Sequence, residues 1–181
     1  VRADNVLSGD CAECREPYLP QDGQCVESCD IDHFTVSLSS EYGEICTLYD
    51  YMGCYNDGFA PRDLEGGVRL LSSTNSVQAC GDICKAEEYD YFGLQYGVEC
   101  FCGNSFGSYG VAPDVDCLAT ACPGRNAERC GGGLRNAIYS TKRRSEFFAL
   151  CESISDSGIC LDCENSYYLA NNLCEPSCTE E

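Results

Sequence analysis

The segment 76–103, SVQACGDICKAEEYDYFGLQYGVECFCG, decides how the middle of the chain folds. Ser76 or Asn75 can cap a helix, because both side chains accept hydrogen bonds from the first helical amides. Apolar residues and cysteines then recur at helical spacing, which predicts one amphipathic helix. Cys80 and Cys84 are four residues apart and therefore lie on the same face of this helix.

The second half of the segment, residues 89–103, predicts two strands joined by a turn. We expect Phe92 and Leu94 to point inward, because residues two apart in a strand share a face. Cys100 and Cys102 share one face of the second strand for the same reason. Two bridges between one helix face and one strand face are therefore geometrically natural.

The chain has 181 residues and 18 cysteines, a density typical of disulfide scaffolds. It has one methionine and no tryptophan, so tyrosine and phenylalanine are its main large core side chains. Cross-links then supply stability that a small core cannot, each typically about 2–4 kcal/mol. The cysteine density favours an oxidising compartment, so we expect all 18 cysteines to pair in an extracellular, secreted or cell-surface protein.

Both ends of the chain carry the same cysteine spacing, C-x2-C-x10-C-x3-C, over residues 11–29 and 160–178. Each long gap holds a Tyr-Leu pair and a polar turn, the pattern of a small β-hairpin stapled at its base. A zinc ribbon is the alternative for this spacing. It is less favoured because the chain has a single histidine, His33, which we expect on a strand surface. We therefore expect no metal and no cofactor.

Composition and cysteine spacing divide the chain into three parts, 1–49, 50–140 and 141–181, with five, eight and five cysteines. The outer parts are predicted to be small cysteine-rich hairpin modules, and the middle part a domain with its main helix on a short antiparallel sheet. Residues 33–38 and 45–49 mix β-branched and aromatic residues, which predicts strands or a hairpin. The predicted fold class is small disulfide-rich α+β.

The net charge of −19 argues against nucleic acid as a partner, because nucleic-acid binding needs a basic surface. No EF-hand loop appears, so calcium binding is not favoured. No stretch approaches the ~20 apolar residues of a membrane span, and residues 1–10 lack a signal-peptide core, so we expect a mature N-terminus. The basic segment TKRRSEFF at 141–148 predicts a linker paired with nearby acid or, alternatively, a processing site.

Five segments of the middle part resemble the WSC domain: GCYNDG at 53–58, C-x3-C at 80–84, GLQYGVECFCGNS at 93–105, CPGRNAERCGG at 122–132 and RNAIY at 135–139. All eight cysteines of that family's pattern have a match, and the resemblance extends over residues ~50–140. Gln95 stands where family members commonly have Glu, so we expect no carboxylate role there.

The resemblance implies a compact fold, one helix on a small antiparallel sheet, with the disulfides Cys54–Cys117, Cys80–Cys100, Cys84–Cys102 and Cys122–Cys130. The end spacings resemble furin-like or growth-factor-receptor-like cysteine repeats, whose usual pairing implies Cys11–Cys25, Cys14–Cys29, Cys160–Cys174 and Cys163–Cys178. Cys46 and Cys151 then remain, one on either side of the middle part. Because domain termini often lie close together, we expect these two to form a ninth bridge.

The resemblance also implies carbohydrate binding, since the WSC domain is regarded as a carbohydrate-binding module. Sugars need an aromatic face for their C–H side and amide, carboxylate or guanidinium groups for their hydroxyls. The middle part offers both kinds of group: Tyr55, Asn56, Asp57, Tyr91, Tyr96, Phe101, Asn104, Arg135 and Asn136. Without tryptophan, several of these aromatic residues are equally suited to the core, and Tyr91 and Tyr96 are mixed cases.

Catalysis is not expected, because His33 lies alone outside the middle part and Glu87-Glu88 is predicted to be solvated. We therefore expect a non-catalytic extracellular protein whose partner is a glycan or a cell-wall or surface polysaccharide. The alternative is a self-assembling subunit of a filament or coat, stacked head-to-tail, or an ectodomain fragment of a longer receptor. Glycan binding that is lost in Tyr96→Ala would favour the carbohydrate-binding class. Filaments that form with rising protein concentration would favour the self-assembling class.

Overall fold

The computed structural model describes residues 19–21, 24–30, 33–39, 43–143, 146, 151–154, 160–163, 167–170 and 173–176. Its N-terminal part folds as two antiparallel hairpins with the strands β1 (Leu19–Gln21), β2 (Gln24–Val26), β3 (Phe34–Ser39) and β4 (Gly43–Thr47). Gln21 pairs with Gln24, and residues 22–23 of the polar turn predicted for the first cysteine spacing lie outside the described residues. The predicted strand segment 45–49 is divided, because β4 ends at Thr47 and the next strand begins at Tyr49.

The middle part contains two α-helices, a short 3-10 helix (Ser72–Thr74) and seven strands among its described residues. They are β5 (Tyr49–Asn56), β6 (Val68–Leu70), α1 (Val77–Ala86), β7 (Tyr91–Gln95), β8 (Glu99–Gly103), α2 (Asp114–Cys117), β9 (Ala121–Cys122), β10 (Arg125–Arg129) and β11 (Arg135–Arg143). Five of the strands form an antiparallel sheet in the order β5-β11-β7-β8-β6. The last strand in sequence therefore lies inside the sheet, between the first strand and β7.

Helix α1 begins where the sequence predicts, because two side chains bind its first amides. The Ser76 hydroxyl accepts a hydrogen bond from the Ala79 amide at 3.0 Å. The buried Glu128 carboxylate, on β10, accepts one from the Val77 amide at 2.7 Å. A carboxylate at this end also interacts favourably with the helix dipole. Glu128 thus joins strand β10 to the start of the helix.

The main core lies between α1 and one face of the sheet. Phe92 and Leu94 are fully buried there, as predicted, and Phe92 stacks on Tyr139 with ring centroids 5.2 Å apart. Gly81 faces Tyr49 so closely that a Cβ at this position would lie 2.3 Å from the tyrosine Cε2. The helix approaches the first strand this closely because residue 81 has no side chain.

The described part of the chain defines five disulfides. Four of them are the pairs that the resemblance implies for the middle part: Cys54–Cys117, Cys80–Cys100, Cys84–Cys102 and Cys122–Cys130. The sulfur atoms of Cys80 and Cys84 leave the same face of α1 and reach the same face of β8, so the helix is fastened to the sheet at two points.

The fifth disulfide, Cys29–Cys46, shows that the predicted pairs Cys14–Cys29 and Cys46–Cys151 are wrong. Cys46 lies on β4, opposite Thr35 of β3, and its side chain is buried towards the segment that precedes β3. The Thr35 hydroxyl lies 3.2 Å from the Cys29 sulfur. The residue therefore closes its own hairpin unit and does not clasp the middle domain from outside. Cys151 is disulfide-bonded as well.

The prediction that His33 lies on a strand surface is also wrong, because this residue is buried. It immediately precedes β3, and its backbone amide donates to the Asp30 carbonyl at 2.9 Å. This turn directs the side chain inward, next to the small cluster of Phe34, Val36 and Ile45 that packs on Leu118. Alternation along β3 did not predict it because the residue belongs to the turn.

The C-terminal part forms two more hairpins, with the strands β12 (Cys151–Ile154), β13 (Cys160–Cys163), β14 (Tyr167–Ala170) and β15 (Leu173–Pro176). The β14–β15 hairpin is the one that the second cysteine spacing predicts. The pair Cys11–Cys25 and the pairs within 160–178 involve side chains outside the described residues. Cys25, Cys29 and Cys163 are all in disulfides, so none of the three has the free thiolate that zinc needs. In the part of the chain that is described, no helix has the length and apolarity to cross a membrane.

Candidate functional site

Two loops cover the face of the sheet that α1 leaves open. Leu64, from the loop after β5, buries its side chain against Phe101 and Ile138. It reaches the sheet over Gly93 and Gly103, where a Cβ would lie 2.7 and 2.9 Å from its methyl groups. Residues 104–112 form the second loop, and a cluster of aromatic and charged side chains lies where the two loops meet.

Two carboxylates, the buried Asp63 and the exposed Glu65, hold the two loops together. Asp63 accepts hydrogen bonds from the amides of Gly107 and Ser108, each at 2.7 Å. Glu65 accepts one from the Asn104 amide at 2.8 Å, and the Tyr109 hydroxyl donates to the Pro61 carbonyl at 2.8 Å. Part of the large negative charge of the chain is thus used to fix backbone amides in these loops.

Asp57, a predicted ligand residue, has a structural role. Its side chain is fully buried and accepts hydrogen bonds from the amides of Gly58 and Asp63 at 2.9 and 2.8 Å. Its other oxygen pairs with Arg62 at 2.8 Å. Asp57 therefore shapes the loop and orients a guanidinium group, and a ligand would not reach it directly.

The predicted amide residues are also occupied or buried. The Asn56 amide donates to the carbonyls of Tyr109, Gly110 and Val111 at 3.2–3.3 Å, which fastens the second loop to the end of β5. Asn136 is completely buried on β11. Asn104 is exposed, and its Oδ1 accepts from the Asp90 amide at 3.1 Å.

Tyr55 and Tyr91 come together around a third aromatic residue. The Phe106 ring lies 4.8 Å from Tyr55 and 4.7 Å from Tyr91, edge to face in both cases. All three side chains are half-buried, so their packing stabilises the loop and leaves part of each ring exposed. Phe101, in contrast, is fully buried and belongs to the core.

Two predicted residues lie at the end of the sheet where β5 and β7 stop. The Arg135 Nε donates to the Asp116 carboxylate at 3.0 Å, and its backbone pairs with both Asn56 and Gly132. Tyr96 lies in the turn between β7 and β8 with 67% of its surface exposed and φ at 52°. This left-handed conformation costs a non-glycine residue about 1–2 kcal/mol.

The structure also exposes three residues that the sequence did not single out. Phe59 is 79% exposed, Arg62 lies beside it, and the half-exposed Tyr109 bonds to the same loop. We call Phe59, Arg62 and Tyr109 the Phe59 surface. A Cβ at Gly58 would lie 2.6 Å from the Tyr109 ring, so the last glycine of GCYNDG lets the two loops meet.

Arg62 is held in one orientation on this surface. Its Cζ lies 4.9 Å from the centroid of the buried Phe101 ring and 5.8 Å from that of Phe59. Nη1 donates to Asp57 and to the Gly58 carbonyl. Among the described residues, Nε and Nη2 have no hydrogen-bond partner, so this edge of the guanidinium is available to a ligand.

The tyrosines with shifted pKa values lie on the other side of the sheet or within it. Burial raises the pKa of Tyr49 to about 12, and its hydrogen bond to Asp82 contributes to the shift. Burial also raises the pKa of Tyr51 and Tyr139. The hydroxyl groups of these three tyrosines contribute to the stability of the fold. Arg143 pairs with Asp82 and packs on Tyr49, which is an acid pairing of the predicted kind, but residues 141–143 belong to β11 and not to a linker.

Comparison with known proteins gives the same assignment for the middle part. The family model of the WSC domain matches residues 51–132. The chain is 37% identical over 92 residues to a WSC domain-containing protein of Arthroderma benhamiae, over 50% of this chain and 12% of that protein. It is 30% identical over 132 residues to human Kremen protein 1, over 71% of this chain and 27% of that protein.

A further relative has an enzyme name. The chain is 31% identical over 129 residues to xylosyltransferase sqv-6 of Caenorhabditis elegans, over 67% of this chain and 16% of that protein. The chain thus spans less than a third of the length of each of these relatives. The similarity and the disulfides together indicate an extracellular or cell-surface protein.

Proposed function

We propose, from the premise that residues 51–132 are a WSC domain, that this domain is a non-catalytic extracellular module that binds carbohydrate. The ligand is a glycan or a cell-wall or surface polysaccharide. The observation that carries the proposal is the Phe59 surface, where an exposed aromatic ring lies beside a fixed guanidinium edge.

The chemistry of this surface suits a sugar ring. The Phe59 ring offers a flat apolar face for the C–H side of a pyranose, and the Nε–Nη2 edge of Arg62 can donate to its hydroxyls. Tyr109 adds a second aromatic ring that is 42% exposed. Such a pairing of an aromatic platform with a few oriented polar groups is typical of ligand sites.

The surface is also pre-organised. Asp57 holds Arg62, Asp63 holds the second loop, and Tyr109 bonds across to Pro61. A ligand therefore meets side chains whose positions are already fixed, which lowers the entropy cost of binding. The non-catalytic part of the proposal rests on the same residues, because each carboxylate near the surface is engaged with backbone amides or with arginine.

The test uses the full chain with its disulfides intact, on an array of immobilised neutral and acidic oligosaccharides. We expect Phe59→Ala to weaken binding about fivefold or more, since an aromatic contact of this kind contributes about 1 kcal/mol or more. Arg62→Lys should weaken it less, because it keeps the ion pair with Asp57 but loses the planar edge. Val115→Ala is the control, since Val115 is 65% exposed and lies on α2, outside the two loops.

Two results would contradict the proposal. One is a wild-type chain that binds no immobilised saccharide. The other is a Phe59→Ala variant that is correctly folded by circular dichroism and binds as tightly as wild type.

A second candidate function is self-assembly in a filament or coat. The observation that favours it is the edge strand β6, where Val68 and Leu70 are 48% and 68% exposed on the same face. An exposed apolar edge strand is a ready site for pairing with another chain. Concentration-dependent light scattering without glycan, abolished by Leu70→Lys, would support assembly, and a concentration-independent monomer would exclude it. Membership of a longer receptor is the remaining alternative.

A further inference from the structure

The turn between β7 and β8 has an unusual residue at its tip. Gln95 pairs with Glu99, so Tyr96, Gly97 and Val98 form the turn. Tyr96 and Gly97 both have left-handed backbones, with φ at 52° and 78°. Glycine accepts this conformation freely, and asparagine accepts it more readily than tyrosine does. The chain therefore keeps an aromatic residue where the backbone favours a different one.

Backbone contacts hold this turn, and the tyrosine ring is not needed for them. The Tyr96 amide donates to the Gly132 carbonyl at 3.3 Å, and the Gly97 amide to the Cys130 carbonyl at 2.9 Å. On the far side, the Leu71 amide donates to the Val98 carbonyl at 2.9 Å. Asparagine would make the same backbone hydrogen bonds, so the fold gives no reason for tyrosine here.

The ring itself contributes little to packing. It is 67% exposed, and its hydroxyl makes no hydrogen bond within the described residues. Strain at an exposed residue that the fold does not need is a recognised mark of a functional site. The backbone hydrogen bonds around the turn hold the strained conformation, and a contact with a ligand gives a reason for keeping tyrosine there.

The surroundings of Tyr96 indicate the kind of contact. Gly132, which accepts the Tyr96 amide, also pairs with Arg135, and a Cβ at Gly132 would lie 2.5 Å from the Asp116 carbonyl. Arg135 and Asp116 form an ion pair in which both side chains are about one third exposed. An exposed ring on a turn with a fixed backbone, at the same end of the sheet as a donor and an acceptor, matches the two sides of a sugar.

We propose that Tyr96 is a second saccharide contact, distinct from the Phe59 surface, kept in a strained turn for binding. This inference rests on the proposed function, since it assigns the same class of ligand. It differs in site, because Phe59 lies on the loop that follows β5, whereas Tyr96 lies on the turn after β7. A domain with two contacts engages a long saccharide chain at two places, or two chains at once.

The experiment measures stability and binding on the same variants of the full chain. The probes are immobilised hexasaccharides of glucose, mannose, xylose, N-acetylglucosamine and galacturonic acid. Tyr96→Asn relieves the strain and removes the ring, whereas Tyr96→Phe keeps both. We expect Tyr96→Asn to melt at a higher temperature than wild type and to bind about tenfold more weakly, and Tyr96→Phe to match wild type in both measurements.

The control is Glu88→Asn, which relieves a left-handed backbone at an exposed residue at the end of α1. It should raise the melting temperature without changing binding. A Tyr96→Asn variant that binds like wild type, or that melts at a lower temperature, overturns the inference. If Phe59→Ala alone loses binding, the proposed function stands and the Tyr96 contact fails. If no probe binds the wild-type chain, both fail.

Discussion

The middle domain and the N-terminal hairpin unit β3–β4 are both closed by disulfides, but they are built differently. In the middle domain, Cys80–Cys100 and Cys84–Cys102 connect a helix to a sheet and are completely buried in the main core. In the hairpin unit, Cys29–Cys46 closes a small cluster, and Cys29 is partly exposed. The disulfides of the middle domain are part of its core packing. The disulfide of the hairpin unit mainly restrains the unfolded chain.

The largest expected effect tests this difference directly. Cys80→Ala with Cys100→Ala and Cys29→Ala with Cys46→Ala remove loops of similar length, since the sequence separations are 20 and 17. The chain-entropy contribution is then about 3 kcal/mol for each pair. We expect the first double variant to lose about 4–5 kcal/mol in urea unfolding, because it also leaves a cavity in the core.

The second double variant should lose about 3 kcal/mol or less by the same entropy argument. Equal losses for the two pairs, measured by far-ultraviolet circular dichroism in urea, would show that buried packing adds nothing to the middle disulfides.

The next effect concerns how tightly α1 packs on β5. Gly81→Ala places a methyl group 2.3 Å from the Tyr49 ring, and we expect a net loss of about 1–3 kcal/mol from overpacking. The gain of roughly 1 kcal/mol in helix propensity does not offset this loss. Gly133→Ala is the matched control, because its Cβ meets nothing within 4 Å. If the two variants unfold at the same urea concentration, the helix does not pack as closely as described.

Alkaline pH should weaken the middle domain before the hairpin unit. A pKa of about 12 for folded Tyr49, against about 10 when unfolded, means that its stabilisation is complete below pH 10 and is lost as pH rises towards 12. The raised pKa values of Tyr51 and Tyr139 act in the same direction. Each such tyrosine removes about 1.4 kcal/mol per pH unit in this range.

Urea unfolding at pH 8 and pH 11 measures this loss, with Tyr49→Phe as the control that should depend less steeply on pH. A stability that stays constant from pH 8 to pH 11 would mean that the three hydroxyls are not buried.

The smallest effect is a gain, at the end of α1. Glu88 has φ at 64°, and its amide and that of Tyr89 donate to the carbonyls of Lys85 and Cys84, the pattern that usually has glycine at the left-handed position. Glu88→Gly should stabilise the middle domain by about 1 kcal/mol in urea unfolding. Glu87 has an ordinary φ, so Glu87→Gly relieves no strain. This substitution also removes the ion pair with Arg69 and should destabilise the domain instead.

The middle domain followed from the sequence because its signals are local and agree with one another. The Ser76 cap, the cysteines four apart on α1 and the alternation along β7 each fix a direction for side chains. Packing α1 on the sheet then leaves little choice of partner for Cys80 and Cys84. The four individual pairs were implied only by the resemblance to the WSC family.

The hairpin unit and the candidate site were less accessible to sequence analysis. The Cys46–Cys151 prediction relied on symmetry between the two ends, which carries no information about where β4 lies. Asp57 and Asn56 have the right chemistry for a sugar, but hydrogen bonds to distant loops occupy them. Phe59 could be recognised as a candidate binding residue only from the structure, which places it near Arg62 and Tyr109 from two different loops.

The strand order β5-β11-β7-β8-β6 has a consequence for biosynthesis. While the chain is being made, β7 and β8 can pair and α1 can bind them, but β5 has no sheet to join until β11 arrives. The Cys54 side chain on β5 therefore stays accessible in the growing chain, where other cysteines have not yet formed their disulfides. A pulse of oxidant applied to chains truncated before residue 135 should trap Cys54 in mixed disulfides, and chains that include β11 should escape this.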